Sequence, residues 1–267
     1  MNIAPRTIVP MAAQPHEPDP ATSWRNAPSS LSVTKNDVHV WRVDLDEHTS
    51  RWHRFKDDLS VDEQQRADRF KFEEHRGRFV VGRAALRSIL ARYVGSAPTE
   101  LRFVYGDHGK PDLAGQSGPD ALRFNLAHSA GLAVAALARG RAVGIDLERI
   151  AARGSLMRIA ERFFTWREDL AIKALPEAQR TRAFFTCWTR KEAYIKALGD
   201  GLAIALNRFE VPVLPDQAPF VRTLIELSPP AIRCSMIDLS VAPDYTAALA
   251  VEGSGWAASC WRFAISK

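Results

Sequence analysis

Val143-Gly144-Ile145-Asp146-Leu147-Glu148 alternates apolar and polar residues. On a strand, Val143, Ile145 and Leu147 face one side and Gly144, Asp146 and Glu148 the other, so two carboxylates project in parallel. The glycine leaves room beside Asp146 for a ligand to approach the backbone. Like charges this close repel unless a metal, a basic side chain or a raised pKa relieves them. Hard carboxylate oxygens suit magnesium. A second stretch, Trp188-Thr189-Arg190-Lys191-Glu192-Ala193-Tyr194-Ile195-Lys196, reads as a helix, with Phe184, Trp188, Glu192 and Ile195 at neighbouring helical positions. Glu192 is then a third carboxylate, flanked by Lys191 and Lys196, and such a set suits a metal-bound, multiply phosphorylated ligand. Two plainer readings stand beside it. Glu192 and Lys196, four apart, make an ordinary surface ion pair, and Asp146 and Glu148 form the solvated face of an edge strand.

The elements that must position these residues follow from patterning. Residues 132–138, a turn at Arg139-Gly140 and residues 142–147 predict a hairpin that delivers Asp146 and Glu148. Thr165-Trp166-Arg167-Glu168 is a capping box that opens one long helix ending at Gly199. Upstream, residues 38–45 read as a first strand, and Ser60-Val61-Asp62-Glu63 caps a helix carrying Arg66. A longer helix from about Glu74 buries Phe79, Val80, Leu86, Ile89, Leu90 and Tyr93 and stops at Gly95. Its polar side, with that of the helix before it, shows Arg66, Arg76, Arg78, Arg83 and Arg87, for most of which pairing with Asp68, Glu73 and Glu74 on a solvated face suffices. A strand at 101–105 runs into the turn-rich Gly106-Asp107-His108-Gly109-Lys110-Pro111, and another at 122–126 leads to His128-Ser129. Further strands are expected at 208–213, 232–239 and 245–251, so each half of the chain reads as helices plus an antiparallel sheet.

Composition bounds the class. The 267 residues are 46% apolar and 25% charged, ordinary for a globular protein of one or two domains. No apolar run approaches the roughly 18 residues of a membrane span, and the N-terminus has no signal-peptide pattern, which implies a cytoplasmic protein. Three cysteines without paired spacing argue against a disulfide framework and a zinc site. Residues 1–35 hold six of the sixteen prolines without apolar periodicity and are expected to be a disordered tail. The net charge of +5 admits nucleic acid, an acidic protein or a phosphorylated ligand as partner. Acids interleaved with the bases between Arg66 and Arg92 favour a local anion pocket over a nucleic-acid stripe.

Four motifs in order sharpen this reading. Gly109-Lys110-Pro111, Phe124-Asn125-Leu126-Ala127-His128-Ser129, Gly144-Ile145-Asp146-Leu147-Glu148 and Phe185-Thr186-Cys187-Trp188-Thr189-Arg190-Lys191-Glu192-Ala193-Tyr194-Ile195-Lys196 together resemble the signature of the 4'-phosphopantetheinyl transferases of the surfactin-synthetase-activating type. The similarity runs from about Asp37 to Val251. It implies an α+β fold of two similar subdomains related by a pseudo-twofold, each a small antiparallel sheet packed with helices. The halves are expected at 36–138 and 139–267, the second carrying the carboxylates. The implied reaction moves the 4'-phosphopantetheine arm of coenzyme A to a serine of an apo acyl, peptidyl or aryl carrier protein and releases adenosine 3',5'-bisphosphate, in a monomer that binds neither nucleic acid nor membrane.

By the same resemblance, Asp146, Glu148 and Glu192 hold Mg²⁺, and Glu192, Lys196 and His128 are catalytic. Arg66, Arg78, Lys110, Pro111, His128, Lys191 and Lys196 bind coenzyme A, with Arg83 added on position alone. Two departures stand out. Ala127 replaces the family's usual serine, and Asp200 stands where relatives often have lysine. A Mg²⁺-dependent phosphohydrolase would use the same carboxylates with water as nucleophile, and a nucleic-acid-binding module would use the arginine-rich helices instead.

Overall fold

The computed structural model of the chain describes residues 24–106, 109–152, 154–199, 204–224 and 232–264. In chain order the elements are β1 (Arg25–Asn26), β2 (Asp37–Asp44), α1 (Val61–Asp68), α2 (Glu73–Val94), β3 (Phe103–Tyr105), β4 (Pro111–Leu113), β5 (Leu122–Ser129), β6 (Leu132–Arg139) and β7 (Val143–Arg149). There follow α3 (Leu156–Phe163), α4 (Trp166–Lys173), α5 (Glu177–Leu198), β8 (Phe209–Glu210), β9 (Arg222–Thr223), β10 (Cys234–Asp238), β11 (Tyr245–Glu252) and β12 (Ala257–Phe263). Short 3-10 turns at Thr49–Asp58, Pro98–Glu100 and Leu206–Arg208 link them.

Strand β6 is apolar at every position but the last, a pattern that demands cover on both faces. It lies inside a five-stranded sheet of order β1-β12-β2-β6-β5, and a three-stranded sheet of order β10-β11-β7 packs against that sheet face to face. Alternation sorts the side chains into layers. Val38, Val40, Val134 and Ala136 meet Val143, Ile145, Leu147 and Leu249 between the sheets. Trp41, Val43, Ala135 and Leu137 turn to the outer face, where α2 covers them with Val80, Leu86, Ile89 and Leu90. On the far side α5 covers Ala248, Ala250 and Met236 with Phe184, Ala193 and Ile195. The fold is therefore α+β in two halves, each a sheet backed by one 22-residue helix.

Several expectations change. The hairpin predicted for residues 132–147 does not form, because β6 already spends both edges on β2 and β5. Gly140, at φ 65°, instead turns the chain out of one sheet into the other, and β7 pairs with β11. The long helix predicted after Thr165 is broken at Pro176, whose ring cannot continue a helix, into α4 and α5. The unexpected β12 joins the first sheet in parallel beside β2, so that sheet is mixed and the end of the chain completes the first half. Residues 24–35, expected in the tail, make contacts with the folded chain. Trp24 donates to Ser240 O at 2.7 Å, Arg25–Asn26 pairs with β12, and Arg92, Arg139 and Arg141 donate to the carbonyls of Pro28, Val33 and Lys35. Residues 1–23 and the departure at Asp200 lie outside the described residues.

Candidate active site

Helix α5 and the seam between the sheets meet at Asp146. Gly144, Asp146 and Glu148 face α5, as alternation requires. The space beside Gly144 is filled by the helix: a Cβ there would stand 2.1 Å from Ala193 O and 2.2 Å from Ala197 N. Glycine at 144 thus lets α5 lie against β7, correcting the expectation of a ligand approach at that point. Close approach brings Lys196 Nζ to 2.5 Å from Asp146 Oδ1. Asp146 is buried, and its Oδ2 has no hydrogen-bond partner among the described residues.

Electrostatics define the rest of the cluster. Burial pushes the Asp146 carboxyl up to about 7; Lys196 opposes the rise, while Glu148 and Glu192 add to it. Glu192, half-buried, is raised chiefly by desolvation and further by Glu148, with Lys196 opposing. Glu148 accepts a hydrogen bond from Ser129 Oγ at 2.8 Å. His128, at the end of β5, is lowered by desolvation and then by the positive charges of Lys196 and Arg66. The five predicted residues Asp146, Glu148, Glu192, Lys196 and His128 therefore lie in one electrostatic cluster, and Arg66 reaches it from α1. The two plainer readings fail: β7 lies under α5 rather than exposing its polar face, and the partner of Lys196 is Asp146 on another element.

Arg66 also lines a cavity of about 600 Å³ with Arg69, Phe70, Phe79 and Tyr105, its guanidinium 5.3 Å from the Phe79 ring. Arg83 stands at the wall, donating to Tyr105 Oη at 3.4 Å, but its charge is matched by buried Glu63. Arg87, expected on a solvated face, is buried and donates to Glu63 Oε2 at 2.6 Å. Glu63 holds both arginines while its other duty, to the capping box, brings Ser60 N to 3.0 Å. Much of the arginine-rich region is thus neutralised inside the protein.

Three expected ligand contacts are placed elsewhere. Arg78 lies on another side of α2, bound to Asp46 at 2.6 Å and to Glu74 at 2.6 Å. Lys110 donates to Val143 O at 3.1 Å and Lys196 O at 2.5 Å, tying the start of β7 to the C-terminal carbonyls of α5, and Pro111 begins β4 beside it. Lys191 is fully buried on the opposite side of α5 from the cluster. Its ammonium meets Glu168 at 2.9 Å and the carbonyls of Leu206 and Phe209 at 2.7 and 2.6 Å. One position along a helix turns a side chain by about 100°, which separates Lys191 from Glu192. Ala127 points into the core between the sheets, 5% exposed, so the missing hydroxyl removes nothing from the cavity. Sequence reading missed the cavity aromatics and the Ser129 contact. Of the phenylalanines that flank Arg66 in space, Phe70 lies in the connection between α1 and α2 and Phe79 on α2, and no spacing announced them.

Among the described residues no three such side chains are disposed to enclose a metal ion, and the cation on Asp146 is Lys196. No described helix is long and apolar enough to cross a membrane.

Acids, a lysine and a histidine thus share one cluster, and Arg66 links it to a cavity lined by Asp62, Glu63, Arg66, Arg69 and three aromatic rings. Two family models match in tandem: "4'-phosphopantetheinyl transferase, N-terminal" over residues 45–139 and "4'-phosphopantetheinyl transferase superfamily" over 142–250. The chain belongs to the 4'-phosphopantetheinyl transferase family and is such an enzyme. It is 39% identical over 241 residues to the 4'-phosphopantetheinyl transferase HetI of Nostoc sp., covering 90% of this chain and 98% of that one. To the 4'-phosphopantetheinyl transferase Sfp of Bacillus subtilis it is 29% identical over 196 residues, 73% of this chain and 83% of the relative.

Proposed function

We propose that the enzyme takes coenzyme A as donor and an apo carrier protein as acceptor. The serine oxygen of the carrier attacks the pantetheine-side phosphorus of the pyrophosphate. A new P–O bond forms, the bond to the bridging oxygen breaks, and adenosine 3',5'-bisphosphate leaves with the electron pair. Positioning and charge neutralisation carry most of such a transfer. The observation that carries this reading is the convergence of Asp146, Glu148, Glu192, Lys196 and His128 next to a cavity with Arg66 in its wall.

Each group then has a part. Glu192, half-buried and more basic than an ordinary glutamate, accepts the serine proton. Lys196 and His128 face the non-bridging oxygens, while Arg66 holds a phosphate at the nucleotide end and the cavity aromatics take the base. Carboxylate oxygens suit magnesium, and the electrostatics favour a cation here: Glu148 and Glu192 both act on Asp146, whose buried Oδ2 lacks a hydrogen-bond partner among the described residues. Asp146, Glu148 and Glu192 would hold the ion, which when bound supplies neutralisation of the pyrophosphate. The test is to incubate an apo carrier protein with this chain, coenzyme A and Mg²⁺ and weigh the carrier. A mass gain of one phosphopantetheine arm is expected. Breakdown of coenzyme A at the same rate without any carrier would replace the transferase reading with hydrolysis.

A further inference from the structure

Among the described residues the edge of β7 that faces β5 has no backbone ladder, since β7 and β5 belong to different sheets and β7 pairs with β11. Side chains fill the gap. Ile145 N donates to Asn125 Oδ1 at 2.9 Å, and Arg149 N donates to Ser129 Oγ at 3.1 Å. Asn125 and Ser129 lie four apart on β5, as do Ile145 and Arg149 on β7, so one face of β5 reads one edge of β7 in parallel register. Asn125 is 6% exposed, a depth at which an amide oxygen needs a partner.

Ser129 does more than close this seam. Its oxygen accepts from Arg149, which leaves its proton to donate, and that proton goes to Glu148 Oε2 at 2.8 Å. The hydroxyl itself is held on a tight turn. Ser129 pairs with Leu132 across Ala130 and Gly131; Ala130 sits at φ 48°, and Leu45 N donates to Gly131 O at 2.8 Å. Gly131 packs against the Asp46 carboxylate, which a Cβ there would displace. We propose that Ser129, with Asn125 beneath it, is a positioning residue of the transferase, holding β7 in register with β5 and aiming the Glu148 carboxylate into the site. This rests on the reading of Glu148 given above.

The experiment compares wild type, Ser129→Ala, Ser129→Thr, Glu148→Gln and the Ser129→Ala/Glu148→Gln double variant, with coenzyme A, Mg²⁺ and an apo carrier. Ser129→Ala should lower kcat by about 10- to 100-fold with KM for coenzyme A within about twofold, as loss of a partner that orients a ligand typically does. Threonine should restore the rate, and the double variant should be no slower than Glu148→Gln alone, because the group being aimed is already gone. A second reading is free of activity: with coenzyme A present, the Mg²⁺ concentration that gives half the shift in thermal midpoint should rise by about tenfold in Ser129→Ala. Should the alanine variant melt early, Ser129→Cys, close in size and a weak donor, takes its place. Wild-type kcat in Ser129→Ala, losses that multiply in the double variant, an unshifted Mg²⁺ titration or failure of threonine to rescue each overturn the proposal alone. Wild-type turnover in Glu148→Gln overturns the reading of Glu148 and the proposal with it.

Discussion

Asp146 carries the sharpest consequence of burial. Its carboxyl is pushed from 3.8 to about 7, so the folded chain keeps a proton that the unfolded chain releases. Stability from this group is present below the unfolded value and is lost as pH rises through the folded one. Glu192, also raised, acts in the same direction. Without divalent cations the thermal midpoint should therefore fall between about pH 4 and pH 7, and Asp146→Asn should flatten that fall, a contribution of up to ~4 kcal/mol. The same substitution should reduce turnover by at least about a hundred-fold. An unchanged pH profile in a scan of both proteins would remove the buried-acid account. The two lysines of the second motif should separate just as clearly. Lys191→Met strands the buried Glu168 carboxylate and should cost about 3–5 kcal/mol of stability. Lys196→Met leaves a carboxyl that can simply keep its proton, so the protein should melt near wild type yet transfer at least about a hundred-fold more slowly. Melting curves beside carrier-modification rates measure both.

At the scale of elements, the site depends on how closely a helix lies on a strand. Gly144 sets that distance, and Lys110 pins the same joint by donating to one carbonyl from each element, Val143 O and Lys196 O. Gly144→Ala must push α5 outward, costing about 1–3 kcal/mol of stability as other overpacked contacts do. Lys196 and Glu192 ride on α5 and Asp146 does not, so turnover should fall further than stability, by about a hundred-fold for a shift near 1 Å. Equal rates in the two proteins, measured well below the melting point of each, would show that the spacing does not matter. Lys110→Ala tests the same joint without adding bulk.

The whole molecule is interlocked through its last strand. β12 lies between β1 and β2, and Ala258 and Cys260 from it fill the space between the sheets. Ending the chain at Glu252 should expose the long edge of β2 and open that core, yielding aggregated protein without a cooperative melt. Soluble yield and calorimetry read the result, and a monomer with an intact transition would mean the halves stand without β12.

What the chain determined by itself was whatever depends on near neighbours. Alternation in 143–148 set the carboxylates on one face, helical spacing brought Glu192 within one turn of Lys196, and Thr165 with Glu168 formed its capping box. These follow from backbone geometry over a few residues. The tertiary structure alone decided which side of α5 meets the site, and so separated Lys191 from Lys196. It alone chose β11 over β6 as partner of β7, because strand edges can be spent only once and β6 had none left. It also gave Lys110 and Arg78, expected to contact ligand, bonds within the protein that the sequence did not announce, since a long cation binds whichever oxygens packing brings to it. Pairings such as Arg83 with Glu63 or Lys196 with Asp146 cross 20 and 50 positions of chain, distances over which local pattern carries no information.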